Sequence, residues 1–373
     1  MNWLDHFEPI RDCFVSNVKQ SGKLIDFVRF LDNTEEKLNL TNNSIVVISL
    51  QQPILSSFSD SFHMLVRRKF YNLYASLPIG SEIYDLGYHT FTDSSPDIIR
   101  KMFKDINSLN INVIILSSVK NVNTLLYNTI KKQYKSITIA EVSPELPTSS
   151  KTESAGFKKI ISDPDNNLFN YTNLGMQTFL NSTANQDLFR KLLFDTIRMG
   201  TLQKDISLSE PVIRDSQIFS FDFNSIKVSD APATDLGNPT GLSGFDACHI
   251  SRFAGVSEKN RIFCLNRTPL NDDISSASSF MAAQMLWFYT EGFFNRITEK
   301  PNSKNKNFNT FITETEEYGT LTFFQSHISN RWWVQIEISG AKKIIISCLK
   351  NDYLDTLKGE IPEKFIKLFQ KII

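Results

Sequence analysis

The sequence predicts an α/β protein: a three-layer α/β/α sandwich with a mainly parallel sheet, plus a short antiparallel extension near the C-terminal end. Three observations predict it. Between residues 45 and 300, short apolar runs alternate with segments of helical period, the pattern of parallel strands joined by crossover helices. The runs themselves, such as Ile45-Val46-Val47-Ile48-Ser49-Leu50, are dense in β-branched residues, as suits strands buried on both faces. Beyond a Lys/Asn-rich linker at 302–309 the pattern changes to strand-like alternation with no helices between.

Each element follows from its own residues. Residues 3–31 carry Trp3, Phe7, Ile10, Phe14, Leu24, Phe27, Val28 and Leu31 at helical spacing and are expected to be N-terminal helices. Residues 32–44 are a polar, Asn-rich connection before the strand at 45–50. Ser61 to Leu77 reads as a helix stopped at Pro78, and Ile83 to Gly87 as the next strand. Pro96 to Leu109 carries the stripe Ile98, Ile99, Met102, Phe103 and Ile106 of an amphipathic helix, with proline in its first turn. Asn112 to Leu116 is a strand, Val122 to Tyr134 a helix, and Ser136 to Ala140 a strand. Residues 143–168, rich in Ser, Pro, Asp and Asn, read as a long loop. Tyr171 to Phe179, Gln217 to Phe223 and Arg261 to Leu265 supply further strands, with helices beginning at Asp187, Gly244 and Ala277. The last helix carries Phe280, Met281, Met285, Trp287, Phe288 and Phe294, is apolar nearly all round, and is expected to be deeply buried.

The strand-like stretches between 308 and 349 are read as an antiparallel extension laid on the main sheet, too short to bury much core alone. They include Arg331-Trp332-Trp333, read as an edge strand. Two short helices close the chain. Three parts result: 1–44, an N-terminal helical segment; 45–300, the α/β/α domain; and 301–373, the β extension and closing helices, packed on the main domain.

The 373 residues include 40 basic and 40 acidic side chains, so nothing in the net charge points to nucleic acid or an anionic membrane surface. No run approaches the ~18 apolar residues of a membrane span, so no membrane insertion is expected. The first residues lack a basic n-region and an apolar h-region, so a cytoplasmic protein is expected. Cys13, Cys248, Cys264 and Cys348 lie far apart with no Cys-x-x-Cys pair and are expected to be reduced and mostly buried.

The most informative stretch is Ser220-Phe221-Asp222-Phe223-Asn224. It carries an apolar strand into a polar loop, which places Asp222 and Asn224 at the strand's carboxyl end, where ligands gather in open α/β sheets. Ala231-Pro232-Ala233 and then Gly241-Leu242 follow. The whole resembles the third metal-binding signature of the ureohydrolase family, the arginases, agmatinases and formimidoylglutamases. Other segments fall in the family's order. Asp85-Leu86-Gly87 resembles an Asp-Leu-Gly turn after the second strand. Ile114 to Asn121 occupies the place of the first metal motif, with Lys120 where a histidine ligand stands. Glu141-Val142-Ser143-Pro144-Glu145 occupies the place of the second, with glutamates for two aspartates and Ser143 for a histidine. Asn170 to Gln177 resembles a segment of the formimidoylglutamase branch, and Asn266 falls where the family carries a substrate-touching glutamate. The likeness spans roughly 45–300.

The resemblance implies an arginase-like fold and a pocket formed by Lys120, Glu141, Ser143, Glu145, Asp222, Asn224 and Asn266. In the family, two Mn²⁺ ions bridge a water and deliver hydroxide to a guanidinium or amidine carbon. Here both imidazoles are absent, one carboxylate is an amide, and protonated Lys120 cannot coordinate a cation. None of His6, His63, His89, His249 and His327 falls at a motif position. No metal cofactor is therefore expected, and the first reading is a non-catalytic binding or scaffold protein with an unidentified protein partner. The alternative is a hydrolase of formimidoylglutamate-like amidines with a rebuilt Mn site on Glu141, Glu145 and Asp222. A third reading uses Lys120 as a base or nucleophile. Lys120 is expected to ion-pair with the acids in place of the lost metal charge. The family also forms homo-oligomers, though no interface is traceable in the sequence.

Overall fold

The computed structural model describes residues 2–10, 14, 22–32, 40–53, 60–106, 109–149, 151–338 and 342–372. Cys13, the centre of the expected N-terminal helices and most of the 32–44 connection lie outside the described residues. Nine strands make the main sheet: β1 (Val28–Phe30), β2 (Ile45–Gln51), β3 (Ile83–Thr90), β4 (Asn112–Ser117), β5 (Ile137–Val142), β6 (Leu168–Met176), β7 (Asp195–Arg198), β8 (Ile218–Asp222) and β9 (Ile262–Asn266). Their spatial order is β1-β3-β2-β4-β9-β8-β5-β6-β7, and every neighbouring pair is parallel. All nine carboxyl ends therefore share one edge.

Between the strands run α1 (Phe62–Tyr71), α2 (Ser95–Ile106), α3 (Val122–Ile130), α4 (Lys151–Ile161), α5 (Thr183–Lys191), α6 (Met199–Lys204), α7 (Ser209–Arg214), α8 (Gly244–Gly255) and, after β9, α9 (Ala277–Phe294). Strand residues of one parity, such as Val47, Ile114 and Phe263, join a core with α1, α8 and α9. Those of the other parity, such as Val46, Ile115 and Ile262, join a second core with α2, α3 and α4. The two cores on opposite faces are the predicted three layers, because successive strand side chains point to opposite faces. The family-like Ser220–Asn224 stretch leaves β8 at the carboxyl edge, as expected.

Several elements depart from the expectations. Val28–Phe30 is a strand, not helix: Val28 and Phe30 are half-buried around exposed Arg29, a period of two. Helix α1 stops at Tyr71 because the following segment pairs with 22–24, through Leu24 N–H to Leu73 O (2.9 Å) and Ala75 N–H to Gly22 O (3.0 Å). The supposed loop at 143–168 contains α4, whose Phe157 packs on Tyr171, Phe189 and Phe194 with centroids 5.5, 6.2 and 6.1 Å away. Asp85-Leu86-Gly87 is not a turn after a strand but a bulge inside β3. The register passes from Val47↔Asp85 to Ser49↔Tyr88, leaving an extra residue on β3. Gly87 has φ +80°, and a Cβ there would stand 1.9 Å from the Glu8 carbonyl oxygen, so only glycine fits.

The bulge cradles a buried cluster. Arg67 Nε donates to Asp85 Oδ2 (2.8 Å), and its other nitrogens donate to Asp85 Oδ1 (3.2 Å), Ser49 Oγ (2.5 Å) and Gly87 O (2.9 Å). Tyr71 donates to the same carboxylate, as does the Gly87 N–H (2.8 Å). Neither Arg67 nor Asp85 has any side-chain exposure (0 %).

The C-terminal strands are β10 (Phe308–Thr315), β11 (Gly319–Ser326), β12 (Trp332–Ile338) and β13 (Lys342–Cys348), followed by α10 (Lys350–Leu357) and α11 (Glu363–Ile372). They form a separate antiparallel sheet in sequential order, not an addition to the main sheet. The strands do not bury a core by themselves: α11 covers one face and completes it. Phe365 and Leu368 pack with Leu321, Phe323, Trp332, Val334 and Ile336. Strand β12 is interior, not an edge, and Trp332 stacks on Phe311 and Tyr353 (5.4 and 5.3 Å). The unit is tied to the main domain through Asp215, which accepts from Ser347 N–H (2.7 Å), and Arg214, which donates to Trp332 O (2.9 Å) and lies over the Trp333 ring (4.3 Å). Cys248, Cys264 and Cys348 are free thiols and buried. Among the described residues no helix is long and apolar enough to cross a membrane.

Candidate functional site

Parallel register decides which residues meet at the carboxyl edge. Asp222, the last residue of β8, stands beside Asn266, the last of β9, and Glu141 of β5 is opposite Ser220 of β8. Asp222 is 1 % exposed. Its Oδ1 accepts from Asn224 N–H (2.9 Å), which caps the short 3-10 turn Phe223–Ser225, and its Oδ2 accepts from Ser143 Oγ (3.1 Å). Ser143 Oγ in turn accepts from Glu145 N–H (3.3 Å).

The cation among these acids is Arg267. Its Nη1 lies 2.7 Å from Glu145 Oε2 and 3.2 Å from Asp222 Oδ2. Lys120, expected in that role, is exposed beyond the end of β4, where Asn121 at φ 57° turns the chain into α3. Arg267 itself has φ 49°, in the left-handed region. An arginine there costs about 1–2 kcal/mol, so its surroundings must over-determine the conformation. One signal for Arg267 was present in the sequence: it directly follows Asn266, which the family resemblance had singled out.

Glu141 faces α3 and β6. Its Oε1 accepts from Asn123 Nδ2 (2.7 Å) and its Oε2 from Tyr171 Oη (2.5 Å). Glu141, Asn266 and Arg267 line one small cavity of about 30 Å³, room for about two waters. Asn266 Nδ2 donates to Ser220 Oγ (2.5 Å), and its Oδ1 is buried with no hydrogen-bond partner among the described residues. Asn224 Oδ1 accepts from Leu236 N–H (3.0 Å) and so fastens the loop after the motif rather than aiming at Asp222. The structure thus brings Ser143, Glu145 and Asp222 together around Arg267, sets Glu141 and Asn266 with Arg267 in the lining of the small cavity, and leaves Lys120 out. Among the described residues no three His, Cys, Asp or Glu side chains are grouped as metal ligands would be.

A histidine does approach this edge. His63, near the start of α1, pairs through Nε2 with Thr268 Oγ1 (2.7 Å), while Nδ1 is buried with no partner among the described residues. Burial and then the nearby Arg67 charge lower its pKa to about 3, so the ring is neutral across the physiological range.

The loop from Ser225 to Gly241 closes on itself. Leu242 N–H donates to Ser225 O (2.7 Å) and Lys227 N–H to Leu242 O (2.9 Å). Gln177, just past β6, accepts from Asn238 Nδ2 (3.0 Å) and donates to Thr240 Oγ1 (3.0 Å). A Cβ on Gly241 would stand 2.4 Å from Ser225 O and 2.8 Å from Lys227 N, all backbone. The motif's glycine is therefore a close-approach residue. Gly241→Ala should lower stability by about 2 kcal/mol, the scale of overpacking, read as a shifted denaturant midpoint. An unchanged midpoint would show that the two segments part freely.

No protein-family model matches the chain, and no curated protein matches it in sequence. Solved structures do match in fold. The formimidoylglutamase from Bacillus subtilis superposes with a TM-score of 0.62 at 17% identity, over 76% of this chain and 96% of that one. A Trypanosoma cruzi formiminoglutamase with Mn²⁺ gives 0.60 at 13% identity, over 74% and 99%. The agmatine ureohydrolase of Thermoplasma volcanium gives 0.53 at 16% identity, over 74% and 95%. The chain has the fold these enzymes share.

Proposed function

We propose that this chain is a member of the ureohydrolase family, of the formimidoylglutamase-like type, whose binuclear metal site has become an ion-paired polar centre. It acts as a non-catalytic binding or scaffold protein. One observation carries the reading: the Arg267 guanidinium lies against Asp222 and Glu145, the carboxylates best placed to hold a metal.

Two Mn²⁺ ions need several convergent oxygen and imidazole donors free of competing cations. Here Lys120, Ser143 and Asn224 replace three of the donors, Glu141 is engaged by Asn123 and Tyr171, and a fixed positive charge lies against the acids. These residues do not fit a binuclear manganese centre. What they can do is hold the carboxyl edge rigid, since a guanidinium shared by two carboxylates links the ends of β5, β8 and β9.

Metal content and binding test the reading. The purified chain, equilibrated with Mn²⁺ and desalted, is expected to retain no stoichiometric metal by elemental analysis, and calorimetric titration should give no saturable heat. One or two tightly held equivalents, lost on Asp222→Ala, would overturn it in favour of an amidine hydrolase with ligands Glu141, Glu145 and Asp222.

A further inference from the structure

At the edge of the main sheet opposite Asp222 lies a cavity of about 590 Å³. The amino-terminal ends of β5, β6 and β8 form one wall, through Ser136, Thr138, Asn170 and Gln217. Strand β13 and helix α11 form the other. Its volume is that of a small-molecule site. The relatives above are matched over almost their whole length by about three quarters of this chain. That leaves a remainder large enough to contain the C-terminal wall.

The lining is amphipathic. Ile197, Pro211 and Val212 on one side face Ile344, Ile346 and Leu368 on the other. Four lysines stand around these apolar walls. Lys259 pairs with Asp215 (2.5 Å), Lys364 with Asp352, and Lys367 with Asp195 and Glu363 (3.0 Å each). Lys371 differs. Its Nζ donates to the neutral Asn170 Oδ1 (2.7 Å) and lies over the Phe169 and Phe194 rings (5.6 and 5.3 Å), and among the described residues it has no carboxylate partner. Glu363 is 79% exposed, so water screens its charge. The lining lysines and carboxylates thus balance, and Lys371 is the one of these four lysines whose hydrogen-bond partner is an uncharged amide.

We propose that this cleft binds a small amphiphilic monoanion, an aliphatic carboxylate whose chain lies on the isoleucine and valine walls and whose carboxylate pairs with Lys371. An ammonium held only by a neutral amide gains most from an added carboxylate, and the aromatic faces beside it suit a site partly closed to water. The proposal stands independently of the metal question, because the cleft and the carboxyl edge are at opposite ends of the strands.

The probe is octanoate, titrated calorimetrically into the full chain, with octan-1-ol as the uncharged control. One octanoate should bind per chain at pH 7, and Lys371→Gln should weaken it at least tenfold while leaving the alcohol's weaker binding unchanged. Burial, opposed by Asp195 and reinforced by Lys367, lowers the Lys371 pKa to about 8. An anion prefers the protonated amine, so octanoate affinity should fall as pH rises past about 8, and Lys371→Gln should abolish that fall. Val212→Trp, which fills the cleft and leaves Lys371 in place, should remove binding of both probes. Absence of octanoate binding, equal affinity in the Lys371→Gln variant, or binding that survives Val212→Trp would each overturn the assignment.

Discussion

Replacing Arg67 by methionine should cost about 3–5 kcal/mol, the usual penalty for leaving a buried charge without its partner. That is a large share of the 5–15 kcal/mol that holds a domain together. Asp85 would keep the Tyr71 hydroxyl and the Gly87 N–H but lose both guanidinium contacts, at a position with no solvent exposure. The loss should be level between pH 6 and pH 9. Burial opposes the charge on Arg67, but Asp85 and Tyr71 outweigh it and hold its pKa above the ordinary value. A raised folded-state pKa gives stability that is fully present below the unfolded value and disappears only as pH climbs through the folded one. For an arginine that window lies far above pH 9. Burial and then Asp85 likewise push Tyr71 up, so it stays protonated across the same range. A melting temperature within about a degree of the parent would show that Asp85 is not held by this pair.

Arg267→Met comes second, at about 3 kcal/mol, the lower end of the same range. The discount follows from exposure: Arg267 and Glu145 are 25% and 28% exposed, although Asp222 is 1%. Asp222→Asn in the same background should recover most of the loss, since it removes the uncompensated charge, and the two changes should be strongly non-additive. Lys120→Met, at an exposed position, should stay within about 0.5 kcal/mol of the parent. The reverse ranking, with Lys120 costly and Arg267 neutral, would refute the assignment of the cation. The parent, Arg267→Met, Asp222→Asn, their double variant and Lys120→Met can all be compared by denaturant midpoint at pH 7.

Much of this architecture was legible because parallel strands announce themselves. Ile45–Leu50 and Asn112–Leu116 are apolar on both parities, and the helices between them show their stripes. The Ser220–Asn224 stretch was legible for the same reason, since its apolar run fixes which end of the strand carries the aspartate. The cation was not. Lys120 was chosen by its position in a motif, whereas Arg267 reaches the acids because β9 lies next to β8, a neighbour relation that nothing in the local sequence encodes. Helix α4 was masked by the polar residues around it, although Phe157, Ile160 and Ile161 carried the apolar face. The C-terminal strands were readable as hairpins, but hairpin signals are silent on whether a sheet joins another or is covered by its own helix.

The strand order also sets a schedule for synthesis. The middle of the main sheet is β4 against β9 and β9 against β8, so Val113 waits for Ile262, about 150 positions later, before it has a neighbour on that side. While the ribosome is still short of that residue, β1 to β4 and β5 to β8 are two half-sheets, each ending in an unsatisfied apolar edge. Contacts so distant in sequence form slowly, and open strand edges invite association with other chains. The C-terminal meander, whose strands pair in the order they emerge, carries no such delay. Strand β9 is thus the keystone of the nascent chain: one five-residue segment closes both halves and, one residue later, delivers the arginine that pairs with the acids at the ends of β5 and β8.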